Sequence, residues 1–201
     1  MLTASLAFVL AGSTVLPAQQ PEPLRPPVPY EDVGACPFEG CVYREWVAND
    51  TVAVRKQRTS NAPIVYNVTR GTRVTALTGV VITVRAGRVR FRQPTDLQVY
   101  GPPHSAYVPE DGSLHINPGE TLYLLTYRGE GSTKAWFNGR IYDQLDGSEF
   151  FNALCSFEPN RCNGRIIERP QRVWWVQIQN RRGQIGWTNQ PERFDGKDAY
   201  G

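Results

Sequence analysis

The chain has 201 residues, 40% of them hydrophobic, with 22 Lys and Arg against 19 Asp and Glu. A formal charge of +3 is too small to mark a nucleic-acid-binding surface by itself, and 18 Gly, 16 Pro and a single Met favour short strands and turns over long helices. The length suits one domain or two small β-barrels once an export leader and a tail are set aside.

The first sixteen residues carry no charged side chain, and Leu6 to Ala11 form an apolar run too short to span a bilayer. Leu16-Pro17-Ala18 follows as a small-residue cleavage site. Residues 1–18 therefore read as a signal peptide cut after Ala18, although its basic n-region is missing. The expected destination is the periplasm or the outside of the cell, and no later segment is apolar enough to cross a membrane. Residues 19–35 read as a Pro-rich linker. Within it Pro26-Pro27-Val28-Pro29 spells a P-x-x-P pattern, which the local composition bias makes easy to obtain by chance, so a spacer is expected.

Four cysteines, Cys36, Cys41, Cys155 and Cys162, allow three disulfide connectivities. Their spacing favours two local bridges, Cys36–Cys41 and Cys155–Cys162. Zinc is the rival reading, but there is no C-x-x-C pair, and His104 and His115 lie far from every cysteine. Neither a metal nor a cofactor is expected.

From Tyr43 onward the chain reads as strands. Thr51–Val54 alternates, Ile64–Val68 follows, and Arg73–Thr78 and Val80–Val84 are strongly β-prone. Arg88–Arg92 puts three arginines on one face and Val89 and Phe91 on the other, the pattern of a half-buried strand with a solvated face. Residues 93–118 read as a long loop with at most one short strand. Thr121–Tyr127 and Lys134–Phe137 pair around a Gly-rich turn, and Asn138-Gly139 is a strong hairpin signal. Ser148 is placed to cap the single short helix, which carries Phe150, Phe151 and Leu154. Val173–Gln179, the turn Asn180–Gly183 and Gln184–Thr188 form the last hairpin. Alternation sends Trp174, Val176 and Ile178 to the core and leaves Trp175 on the outer face.

Trp174-Trp175-Val176-Gln177-Ile178, Arg182-Gly183-Gln184 and Gly186-Trp187-Thr188 resemble the closing hairpin of bacterial SH3-like (SH3b) domains. Val52 to Arg58, Ile64 to Val68 and Gly71 to Leu77 are similar to the opening of such domains. The departure is the separation of the two halves by roughly ninety residues, which themselves contain another strand pair of that kind. The resemblance implies an all-β fold of one or two SH3-like barrels, one of them discontinuous with an inserted β module, and at most one short helix. The expected divisions are a first half or barrel at 36–92, an inserted or second β module at 93–170, and a C-terminal hairpin and tail at 171–201.

Catalytic signatures are sparse. The G-x-S-x-G elbow, the P-loop, the G-x-G-x-x-G fingerprint and H-E-x-x-H do not occur, and paired cysteines leave no thiol nucleophile. Asp143, Asp146 and Glu149 cluster, but a solvated loop and helix start explain them. The reading is a non-enzymatic exported binding module, with a small cell-wall hydrolase and a structural envelope protein as alternatives. The expected partner is a peptidoglycan stem peptide or another envelope protein, and no nucleic acid. The expected ligand-binding residues are Trp175 with the turn residues Arg181 and Arg182, then Tyr66, Trp136, Trp187 and Arg58, aromatic faces for stacking and guanidinium groups for carboxylates.

Overall fold

A computed structural model of the chain describes residues 24–100, 112–151, 155, 157–158 and 161–199. The expected signal peptide and its cleavage site lie outside the described residues, as do His104 and Leu154. Fifteen strands, one short α-helix and one 3-10 turn make up the rest. They form two curled sheets, an all-β, barrel-like architecture of the class that the resemblance implies.

The first sheet contains β1 (Tyr30–Val33), β2 (Glu45–Ala48), β3 (Val52–Arg55), β4 (Ile64–Val68) and β5 (Arg73–Arg85). From the C-terminal end it takes β13 (Gln171–Gln179), β14 (Ile185–Thr188) and β15 (Phe194–Asp195). Its order is β15-β2-β5-β13-β14-β3-β4, with β1 on the far stretch of β5. The stretch 45–79 thus shares one sheet with the hairpin that begins more than ninety residues later: Thr78 is opposite Gln177, and Arg55 opposite Trp187. Trp46, Val52, Val54, Val176, Ile178 and Phe194 fill its interior.

The second sheet lies between these halves in the chain. It contains β6 (Gly87–Phe91), β7 (Thr95–Tyr100), β8 (Ser113–Ile116), β9 (Thr121–Gly129), β10 (Ser132–Phe137), β11 (Arg140–Asp146) and β12 (Gly164–Glu168), in the order β12-β6-β9-β10-β11-β7-β8. Val89, Leu97, Ile116, Leu122, Leu124 and Leu145 form its separate core. The Asn138-Gly139 turn joins β10 to β11 with both residues at positive φ, 45° and 85°, the geometry that a two-residue hairpin needs and that Asn and Gly tolerate. The helix α1 (Ser148–Phe151) begins as expected, but its cap is Asp146, whose Oδ1 accepts from Ser148 N at 3.0 Å.

β5 is continuous where the sequence pattern reads as two strands. Its thirteen residues serve both units. Val74 and Ala76 pack in the first core, while the buried Thr83 donates to the carbonyl of Leu125 on β9 at 3.1 Å. Gly79, between these stretches, leaves room for Tyr43 and Trp174: a Cβ there would collide with the Tyr43 hydroxyl and the Trp174 indole nitrogen.

The expected linker ends earlier than its composition suggests, because Tyr30–Val33 is a strand. Asp32 on that strand is 4% exposed, and its Oδ1 accepts from Lys134 Nζ at 2.9 Å and Arg128 at 3.3 Å. Asp143 Oδ1 takes the same two cations, each at 2.8 Å, and the Tyr30 hydroxyl accepts from Lys134 at 3.2 Å. This network, centred on the buried Asp32 and Lys134, ties β1 to β9, β10 and β11.

Both expected disulfides are formed, Cys36–Cys41 and Cys155–Cys162, which removes the zinc alternative at these cysteines. Two bridges of this kind belong to an oxidising compartment, extracellular or periplasmic. No helix among the described residues is long and apolar enough to cross a membrane.

Candidate functional site

Two outward faces carry the aromatic and basic residues. On the first sheet, strand register separates the outer side chains from the inner ones. Trp175 is opposite Val80, Gln177 opposite Trp187, and Trp187 opposite Arg55, so these residues share the outer face. Trp175 is nevertheless buried, with 5% exposure, and Val80 with 3%. The cover is the loop between β3 and β4. Arg58 on that loop stands 5.5 Å from the Trp187 ring centroid on β14 and bonds Glu31 on β1 at 2.9 Å. β13 and β5 lie between those two anchors, so the loop passes over Trp175 and Val80. Trp175 is therefore a covered packing residue, not the exposed aromatic that alternation predicts.

The other expected residues divide between the sheets. Arg58 and Trp187 are brought together, as the latch just described. Tyr66, opposite the core residue Val54, turns inward. Its hydroxyl donates to the Ile178 carbonyl at 3.1 Å, and burial pushes its pKa up to about 12. It is a wall of the first core rather than a docking ring. Arg181 and Arg182 stand exposed at the tip of the β13–β14 hairpin. There Asn180 Oδ1 accepts from the backbone of Arg182 and of Gln184, both at 3.0 Å, and fixes the turn. Trp136 belongs to the second sheet, away from all of these.

That second sheet holds the groove. Val89, Leu122, Leu124, Ala135 and Phe137 point into its core, so the residues alternating with them point out. Register then aligns one cross-strand row on the outer face: Glu168 on β12, Arg88 on β6, Tyr123 on β9 and Trp136 on β10. Arg90 and Thr121 form the next row. Tyr123 and Trp136 meet edge to face, with ring centroids 5.5 Å apart. Along this face runs an open groove of about 670 Å³, and the proline-rich segment Leu24–Val28 forms one of its walls.

The groove is electropositive. Its lining holds Arg25, Arg85, Arg88 and Arg90 against Glu120 and Glu168. Glu168 is shared, its Oε1 on Arg85 at 2.9 Å and its Oε2 on Arg88 at 2.7 Å. Arg90 and Arg25 are exposed and make no ion pair among the described residues. The arrangement can take an anion on guanidinium forks while an apolar or planar group lies on the aromatic pair. The alternation at Arg88–Arg92 marks the basic face. What the sequence pattern does not contain is the register that sets it beside Tyr123 and Trp136.

The chain matches no protein-family model, no curated protein and no solved structure.

The clustered carboxylates are engaged structurally. Asp143 sits in the network centred on Asp32 and Lys134, Asp146 caps α1, and Glu149 Oε2 accepts from the Asn163 backbone at 3.0 Å. Among the described residues no group of three or more His, Cys, Asp or Glu is placed to hold a metal ion.

Proposed function

We propose that this chain is an exported, non-enzymatic binding protein of the bacterial SH3-like type, which recognises an extended, carboxylate-bearing chain such as a cell-wall stem peptide. The observation that carries the reading is the groove on the second sheet. Arg85, Arg88 and Arg90 line one side, and Tyr123 and Trp136 form the floor. An extended peptide laid along it meets cations for its carboxylates and an aromatic surface for its backbone or side chains. The leader-like residues 1–18 and the paired cysteines are consistent with work at the cell envelope. The first sheet contributes the frame: its β5 runs directly into β6 and so holds the arginine strand in place.

The test is retention of the purified protein on insoluble peptidoglycan at low salt. Arg90→Glu, which breaks no ion pair among the described residues, should sharply weaken retention while leaving the far-UV circular dichroism and the melting temperature near those of the parent. Raising the ionic strength should weaken retention, because exposed charge pairs are screened beyond about 8 Å at 0.15 M salt. A wild-type protein that does not bind the wall at low salt removes the wall peptide as partner, and binding untouched by the charge reversal moves the site elsewhere.

A further inference from the structure

Trp136 presents a contradiction that the groove resolves. Its neighbours Ala135 and Phe137 are in the second core, so its indole is on the outer face. A tryptophan on the outside of a sheet would ordinarily be partly exposed, yet this one is 5% exposed. What lies over that face is the segment before β1. Pro26 is buried there, while Leu24 is 66% and Val28 47% exposed, and Arg25 and Pro27 are exposed too. Pro26 lines the same groove as Tyr123 and Trp136. Pro26 is therefore the one residue of the segment buried in the groove that holds the aromatic pair, and its neighbours stay in solvent. Proline on an aromatic groove is a general recognition mode, because the ring is flat, apolar and conformationally restricted before it binds.

The segment is tethered close by. Tyr30, four residues on, pairs with Thr83 and fixes the strap's downstream end. A ligand on so short a tether has an effective concentration on the order of millimolar. Nothing else holds the strap among the described contacts: no hydrogen bond or ion pair of residues 24–29 accompanies the insertion of Pro26. Among the described residues its anchor is the downstream β1, Pro26 is buried and its neighbours are solvated, the arrangement of an occupant that can leave.

We propose that Leu24–Val28 is an internal ligand of the Tyr123–Trp136 groove, and that an incoming extended chain enters by displacing Pro26. The proline-rich stretch is then neither an inert spacer nor a fixed part of the fold. The identity of the incoming chain rests on the wall-binding reading above, whereas the strap's occupancy of the groove does not.

The experiment follows the Trp136 indole N–H by NMR in the full protein and in Pro26→Asp, with Trp136→Phe to assign the signal. Pro26→Gly serves as a milder second variant if Pro26→Asp is poorly folded. Releasing the strap should shift the indole signal, and a synthetic peptide of residues 22–30 added in trans should bring it back. The same peptide should leave the parent protein's signal in place. A soluble stem peptide should bind Pro26→Asp at least about 10-fold more tightly than the parent, since the parent spends most of its time occupied. An indole signal unmoved in both variants, or a stem peptide that binds variant and parent equally, overturns the proposal. If the proline peptide binds the variant and the stem peptide binds neither protein, the strap stands as the groove's ligand and the wall partner falls.

Discussion

Removing the Lys134 charge should unsettle the junction between the sheets more than any surface change could. The Lys134 ammonium, with 9% side-chain exposure, bonds Asp32 Oδ1 at 2.9 Å, and the Asp32 side chain is 4% exposed. Lys134→Met leaves that carboxylate with Arg128 alone, at 3.3 Å, and its Oδ2 has no partner in the first place. Breaking a buried pair on one side costs about 3–5 kcal/mol. The remaining Arg128 contact argues for the lower end, about 3 kcal/mol. At about 2–4 °C per kcal/mol for a chain of this size, the melting temperature should fall by about 6–12 °C. Urea denaturation followed by tryptophan fluorescence measures the free energy directly. The double variant Lys134→Met/Asp32→Leu should recover most of the loss, since an apolar pair of similar volume no longer strands a buried charge. A single variant within about 1 kcal/mol of the parent would refute the reasoning, and so would a double variant that loses the sum of the two single losses.

Three further outcomes follow from the packing and the ionisations. Trp175→Ala should cost about 3–5 kcal/mol of stability by opening a cavity beneath the β3–β4 loop, so thermal unfolding rather than a binding assay should register it. Gly79→Ala forces a methyl group between Tyr43 and Trp174, whose hydrogen bond is 3.1 Å long; a loss of about 1–3 kcal/mol is expected from overpacking in the same denaturation assay. In alkali, Tyr43 and Tyr66 each stand at about 12 instead of 10.0, chiefly through burial, with a Trp174 hydrogen bond opposing it at Tyr43. A folded pKa raised above its unfolded value gives stability that is complete below pH 10 and lost as the pH rises toward 12. Burial pulls Lys134 down, but the hydrogen bonds it donates to Asp143 and Asp32 outweigh it, and the net rise above 10.5 acts in the same direction. Two phenolate absorbance steps should therefore arrive late and together with unfolding; ordinary titration near pH 10 in the folded state would contradict the burial.

On the acid side the sign reverses. Burial raises Asp143, but its bonds to Lys134 and Arg128 outweigh that and hold it below 3.8. Its contribution is present above that value and is lost as the pH falls through the lower folded pKa.

Much of the fold is legible in local pattern. The Asn138-Gly139 turn follows from the positive φ angles that a tight hairpin requires, and the two bridges follow from close cysteine spacing. The final hairpin's alternation gives the right faces: Val176 and Ile178 are in the first core, and Trp175 and Gln177 are outside it. The strands that local pattern misses are those whose partners are distant. β1 contains a buried Asp32 that only Lys134 and Arg128, about a hundred residues on, make tolerable. β12 lies in Pro-, Gly- and charge-rich sequence, and its sheet neighbour β6, far earlier in the chain, orders it.

The candidate site was half legible for a related reason. Periodicity says which way a side chain leaves its strand, but not whether something else lies over that face. Trp175 and Trp136 are both outward residues of their sheets, and both are buried, one beneath the β3–β4 loop and the other behind the Leu24–Val28 strap. A binding aromatic chosen by alternation alone therefore cannot be told from a covered one. The two covers differ in how they are held, and that difference separates structure from function. The loop over Trp175 is closed at its far side by the Arg58–Glu31 ion pair, and Ala62 within it is buried. The strap over Trp136 has one buried proline and borders an open groove whose other side holds Arg85 and Arg88, shared by Glu168, and the exposed Arg90. A surface covered by a segment with one buried proline and continuing into charged, open ground is suited to exchange one extended chain for another, which is why the proposed binding role is placed at Trp136 rather than at Trp175.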